Sequence, residues 1–275
     1  MTRKLTLNTD PVAPPLPLAG GTLCLHELRS VIFGNTRLLR VWLPPGYDVS
    51  GGDRYPVLYL NDGQNLFDPA TAFAGVHWQA GETAARLIAE RKIAPMIIVG
   101  IDNTKNRIRE YIPYRSIDPR VFFPKGKYYP NFLRYEVMPL IRERYRVMPG
   151  PEYTGIGGSS LGGLITLYTQ IAAPGVFGRA LIESPSLFVA NGKILEDVRR
   201  LRASGARVYL GVGTREIGDA GKDARIVEDV RQLERLLREA GLDDQHLRVR
   251  IDEGATHSES AWAARFPEAL EFPFS

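Results

Sequence analysis

Thr154-Gly155-Ile156-Gly157-Gly158-Ser159-Ser160-Leu161-Gly162-Gly163 is the stretch on which the fold turns. Residues 153–157 read as a strand, and residues 161–173 read as a helix. Between them Gly158-Ser159-Ser160-Leu161-Gly162 fits G-x-S-x-G in the context that pattern requires, a strand before and a helix after. The reason is steric. A serine on so tight a turn needs residues without a Cβ two places before and after it, so that backbone can pass close by. Ser160 is then exposed at the top of a sheet and at a helix N-terminus, which favours developing negative charge. Ser159 fits less well, because Gly157 and Leu161 stand at its flanking positions. An ordinary glycine-rich turn is the bland alternative. A phosphate-cradling loop is excluded by detail, since no Lys-Ser or Lys-Thr follows and no strict G-x-G-x-x-G is present.

Outward from this turn, short apolar runs alternate with helical patterns. Strands are expected at 55–60, 95–101, 179–182, 208–212 and 247–251, and helices at 81–92, 131–145, 223–240 and 259–270. Ile226, Val227, Val230, Leu233, Leu236, Leu237 and Ala240 share one face of the third of these helices. Ahead of the series, residues 22–29 and 36–43 flank Phe33-Gly34-Asn35-Thr36 and predict a hairpin. The pattern implies a mostly parallel α/β sheet, with an N-terminal antiparallel hairpin and helices on both faces. Sites in such sheets form at the carboxyl ends of the strands. Residues 1–20, with Pro11, Pro14, Pro15 and Pro17, read as an irregular arm, and 21–275 as a single domain without internal repeats.

Composition narrows the function classes. The 275 residues are 44% hydrophobic and 24% charged, with a net charge of +4, the profile of a globular chain. The positive charges are interleaved with acids, as in Arg231-Gln232-Leu233-Glu234-Arg235, and no nucleic-acid-binding signature appears. One cysteine, Cys24, rules out an intramolecular disulfide. No secretory signal and no run of membrane-span length is visible, so no membrane partner is expected and the cytoplasm is the default location.

A serine hydroxyl needs a neighbouring base to attack at neutral pH. Of the four histidines, His26 lies in the hairpin and His246 at the wrong end of the last strand. His77 lies on the right face but precedes the serine. His257 follows the last strand and fits the chain order nucleophile, acid, histidine. The acid should lie between them in a carboxyl-end loop. Glu216, in Gly213-Thr214-Arg215-Glu216, is the first choice, with Asp219, Asp223 and Glu183 as alternates. The backbone N–H groups of Leu161 and of Gln64, in Asn61-Asp62-Gly63-Gln64, are the expected oxyanion donors. The stretch 103–130 lacks a clean period and is rich in arginine and aromatic residues. A loop of that length is usually functional. It reads as a wall or lid suited to an aromatic or sugar ester, with its arginines favouring one that carries negative charge.

As an ordered set, several of these runs resemble the enterochelin-esterase-like esterases, relatives of the esterase D group. They are Tyr59-Leu60-Asn61-Asp62-Gly63-Gln64-Asn65-Leu66-Phe67-Asp68, then Asn103 with Arg107-Ile108-Arg109-Glu110-Tyr111-Ile112-Pro113, and Gly157 to Gly163. Ser184-Pro185-Ser186, Gly213-Thr214-Arg215-Glu216 and His257-Ser258-Glu259 with Trp262 and Arg265 complete it. The resemblance implies an α/β-hydrolase fold, a Ser160–Glu216–His257 triad, no cofactor and no metal. It also implies substrate contacts from Asn103, Arg109, Tyr111 and Trp262. Small acyl esters, feruloyl or acetyl esters of sugars, and siderophore-type esters are the small-molecule or carbohydrate partners it suggests. An acyltransferase using the same triad is the first alternative. A binding protein on the same scaffold is the second, and intact Ser160 and His257 argue against it.

Overall fold

The computed structural model describes residues 12–115, 123–201 and 205–275. Among the described residues, nine strands form one sheet in the order β1-β2-β3-β5-β4-β6-β7-β8-β9. They are β1 (Leu16–Leu18), β2 (Gly21–Ser30), β3 (Asn35–Leu43), β4 (Val57–Asn61), β5 (Ile97–Ile101), β6 (Thr154–Ser159), β7 (Arg179–Glu183), β8 (Arg207–Gly213) and β9 (Leu247–Asp252). The first three pair antiparallel, as do β3 and β5, and β5, β4, β6, β7, β8 and β9 run parallel. This is the expected sheet, with one correction. Leu16–Leu18 lies in the presumed irregular arm, yet it pairs with β2 as an edge strand. The prolines that suggested irregularity are tolerated at an edge, where half the backbone donors have no ladder partner.

The helices are α1 (Ala80–Ala89), α2 (Arg107–Tyr111), α3 (Tyr129–Phe132), α4 (Met138–Arg144), α5 (Leu161–Ala172), α6 (Lys193–Val198), α7 (Ala220–Glu239) and α8 (Glu259–Phe274). A π-helical segment, Leu133–Val137, joins α3 to α4. Both faces of the sheet are covered because its strands alternate between two apolar sets. Leu58 and Leu60 pack toward α1 and α8, in a cluster with Trp78, Trp262 and Phe266. Val57 and Tyr59 pack on the opposite face, with Tyr129, Phe132, Ile141 and Ile165. All five residues of β4 are buried, which places the central strand, and the loop that leaves it, in the most constrained part of the molecule.

Helix α2 was not expected, since five residues are too few to show a period. It is held by a buried ion pair with the hairpin. Arg37 Nη2 lies 3.0 Å from Glu110 Oε2, with side-chain exposures of 0% and 2%. Asn35 Nδ2 donates to Glu110 Oε1 at 2.6 Å, and the Arg37 guanidinium stacks 4.6 Å above the Phe132 ring. Glu110→Ala would strand the Arg37 charge in the interior. We expect a loss of about 3–5 kcal/mol in unfolding free energy, read from urea denaturation, and a loss below about 1 kcal/mol would contradict this role.

Candidate active site

Four strand ends and the loops leaving them converge on one cavity of about 450 Å³. Ser160, between β6 and α5, sits at φ 57°, ψ −121°, a conformation that L-residues seldom adopt and that persists only when its surroundings enforce it. The enforcement is visible. Ser160 N donates to Glu183 O at 2.9 Å, and Ser160 O accepts from Ser186 N at 3.1 Å. Asn61 Nδ2 donates to Gly162 O at 3.1 Å, while Asn61 Oδ1 accepts from the Tyr129 hydroxyl at 2.6 Å. A Cβ on Gly158 would lie 2.9 Å from Asn61 Cβ, and one on Gly162 would lie 3.1 Å from Asp62 Oδ2, so the flanking glycines answer to the close approach of the end of β4 and the loop after it. Ser160 Oγ lies 3.4 Å from Ser186 Oγ.

His257, on the loop after β9, borders the same cavity as Ser160. Its Nδ1 is hydrogen-bonded to Glu216 Oε2, and its ring meets Trp262 edge to face at a centroid distance of 4.9 Å. Glu216 is buried, and its other oxygen, Oε1, accepts from Gly213 N at 2.6 Å and from Ser184 Oγ at 2.8 Å. Burial alone would raise its pKa. The bonds from His257, the Gly213 N–H and the Ser184 hydroxyl outweigh that and hold the carboxyl below its ordinary range. The three alternates are engaged elsewhere. Asp219 caps α7 by accepting from Lys222 N at 2.9 Å, and Asp223 accepts from Ile217 N at 2.7 Å. Glu183 Oε2 takes Arg265 Nε and Nη2 at 2.9 and 2.7 Å. His77 lies 3.7 Å from Glu82, and His26 bonds the Tyr145 hydroxyl.

Ser184 has a directed hydroxyl. It accepts from Trp262 Nε1 at 3.0 Å, and an indole N–H can only donate, so the Ser184 proton is free to go to Glu216. Ser184→Ala would take one of the donors from Glu216 Oε1 and orphan the Trp262 N–H. We expect kcat on a p-nitrophenyl ester to fall about tenfold with KM little changed. An unchanged kcat would show that the carboxylate holds its place without Ser184.

The loop after β4 turns at Asp62, which is left-handed at φ 59°. Gly63 follows, and its Cβ would lie 2.5 Å from Gly100 C, so this loop is pressed onto β5 as a loop carrying backbone donors should be. Leu161 is the first residue of α5, where backbone N–H groups lack intrahelical partners. Gln64, Asn103 and Trp262 border the cavity. Tyr111 and Arg109 do not, which corrects the expectation for both. Tyr111 is fully buried against Tyr129, and Arg109 Nε donates to Phe123 O on the surface. Arg107 borders the cavity instead. Its Nε and Nη2 grip Asp62 at 2.7 and 2.8 Å, so its charge is already matched, which weakens the case for an anionic substrate. Of the expected wall, Arg120 and Phe122 lie outside the described residues, and Tyr129 belongs to the core. Glu259, Asn65 and Phe73, to which no motif or periodicity in the sequence gives a role, also line the cavity. Among the described residues, no group of three or more His, Cys, Asp or Glu side chains could hold a metal ion, and no helix is long and apolar enough to cross a membrane.

Comparison with known proteins gives the family and the fold. YbbA of Bacillus subtilis, an uncharacterised protein, is 28% identical over 257 residues, covering 92% of this chain and 96% of its own. The BES protein of Bacillus cereus superposes with a TM-score of 0.75 at 20% identity, over 94% of this chain and 98% of that one. The enterobactin esterase FES of Shigella flexneri gives a TM-score of 0.69 at 19% identity, over 97% of this chain and 61% of that one. These two likenesses show the fold. The family model described as "Putative esterase" matches residues 30–272, a span that takes in every site residue above. The chain therefore belongs to the Esterase family and is an ester hydrolase built on the α/β-hydrolase fold.

Proposed function

We propose that this enzyme is a serine esterase working through an acyl-enzyme, with Ser160 as nucleophile, His257 as general base and Glu216 as the acid. The observation that carries the reading is the hydrogen bond between His257 Nδ1 and Glu216 Oε2, with the carboxylate accepting, beside the cavity that holds Ser160 on its strained turn. Glu216 keeps the proton on Nδ1, so that Nε2 is available as the base. The Ser160 hydroxyl, near Ser186 at rest, rotates to His257 and gives up its proton as Oγ attacks the ester carbonyl. Such contacts are often made only once substrate is bound. The N–H groups of Leu161 and Gln64 donate to the oxyanion. His257 passes the proton to the departing alcohol, and water activated by His257 then releases the acid from Ser160.

The cavity volume is that of a small-molecule site. Small acyl esters, feruloyl or acetyl esters of sugars and siderophore-type esters are the proposed substrate range. The enterobactin esterase FES, which shares the fold, supports the last of these. Asn103 and Trp262 are the proposed substrate contacts. The test is labelling with a fluorophosphonate and mapping of the adduct by mass spectrometry. An adduct on Ser160 is expected, and wild-type enzyme that is neither labelled nor active on p-nitrophenyl acetate would refute the reading.

A further inference from the structure

The cavity contains one carboxylate with no salt-bridge partner among the described residues. Glu259 begins α8, directly after the helix cap Ser258, and borders the cavity together with Ser160 and His257 although it is only 8% exposed. Its Oε1 accepts from Asn65 Nδ2 at 2.9 Å, and its Oε2 accepts from Trp78 Nε1. Neither partner carries charge. Nor is the Asn65 amide free to turn, because its Oδ1 accepts from Phe73 N at 3.0 Å. The pair of donors is therefore fixed, and Glu259 is held as an acceptor. Among the described residues no salt bridge reaches it, and the cavity's guanidinium, Arg107, is committed to Asp62 through two bonds.

Burying a carboxylate without a counter-ion is unfavourable. The consequence appears in its titration: burial raises Glu259 to about 7, with the Trp78 bond, Arg107 and His257 opposing and the Asp62 charge reinforcing. A cation arriving in the cavity would relieve that cost. The surroundings suit one, since Trp262 and Phe73 border the same space, and aromatic faces attract ammonium groups, quaternary ones in particular.

We propose that Glu259, flanked by Trp262 and Phe73, is a cation-recognition subsite, and that the esters taken by this cavity carry an ammonium group. The proposal rests on the serine-esterase reading and narrows its substrate range to small acyl esters that bear an ammonium group, in preference to the sugar and siderophore-type esters. The ammonium can belong to the acyl group or to the alcohol, and two probe pairs of matched shape separate these sources. On the acyl side, p-nitrophenyl 4-(trimethylammonio)butyrate is compared with p-nitrophenyl 5,5-dimethylhexanoate. On the alcohol side, choline butyrate is compared with 3,3-dimethylbutyl butyrate. Within each pair only the charge differs.

In the wild type we expect kcat/KM to favour the charged member of at least one pair by about tenfold or more, mainly through KM, the size expected of a charge-assisted contact. In Glu259→Gln that ratio should collapse toward one. Damage to the structure alone would lower both members and leave their ratio intact, so an unchanged ratio overturns the proposal. So does a wild type that favours neither charged ester. A readout independent of turnover is the intrinsic tryptophan fluorescence of the wild type titrated with tetramethylammonium chloride against a sodium chloride control. A saturable change is expected, and its absence counts against the subsite. Loss of fluorophosphonate labelling, by contrast, would refute the serine mechanism and not the cation subsite.

Discussion

Ser160→Ala is expected to lower kcat for p-nitrophenyl acetate by about 10⁴-fold or more while leaving thermal stability near that of the wild type. Removing Oγ removes the attacking atom. Only the Leu161 and Gln64 donors and simple binding remain to assist water, and such residual catalysis is small. The same substitution should abolish the fluorophosphonate adduct. Stability should hold or rise slightly, because Ser160 is kept in its uncommon conformation by backbone bonds to Glu183 and Ser186 and not by its hydroxyl. Turnover within tenfold of wild type in this variant would place the nucleophile elsewhere.

Glu216→Gln carries the second largest expected effect, a fall in kcat of about 10³–10⁴-fold. The direction follows from donors and acceptors. Glu216 Oε1 receives both the Gly213 N–H and the Ser184 hydroxyl. In the glutamine variant the carbonyl oxygen must take that position, which turns the NH₂ toward His257 Nδ1. Nδ1 can then only accept, so the proton moves to Nε2 and the base loses the lone pair that faces the serine. The kinetic readout is kcat on the neutral ester, and the tautomer is visible in ¹⁵N chemical shifts of the labelled ring. Activity within tenfold of wild type, with the ordinary tautomer retained, would take Glu216 out of the mechanism.

The sheet was legible because its requirements are local. Residues 158–162 need glycine at two fixed places, and the alternation of strand and helix patterns repeats down the chain. Chain order and strand ends sufficed to single out Ser160, His257 and Glu216 as candidates, and the structure joins His257 to Glu216 by a hydrogen bond and sets His257 and Ser160 on one cavity. The choice among Glu216, Asp219, Asp223 and Glu183 rested on tertiary contacts. Asp219 became a helix cap and Glu183 the partner of Arg265, roles that depend on side chains far away in sequence. The walls were less legible. Tyr111 was expected to touch substrate, but the short helix Arg107–Tyr111 turns it into the core and gives its place at the cavity to Arg107. Glu259 went unassigned because its partner Trp78 lies 181 positions away, and no periodicity reports a contact of that range. Leu16–Leu18 was hidden by neighbouring prolines that an edge strand can accept.

The ion pair between Arg37 and Glu110 has a consequence for how this enzyme could be diversified. The groups proposed for the chemistry sit on turns and loops at the carboxyl ends of parallel strands, whereas one wall of the cavity begins on a short helix pinned to the hairpin from behind. With that rear anchor intact, Asn103 and Arg107 keep their hold on Asp62, and wall positions without a buried partner can be varied in a combinatorial library without disturbing the loops around Ser160, His257 and Glu216. Randomising Ala74 and Val76, which border the cavity, while retaining Glu110 and Arg37 together with Asn103 and Arg107, which hold the buried Asp62 carboxylate, would explore new substrates on an unaltered chassis. Randomising the anchor as well would mostly sample poorly folded chains.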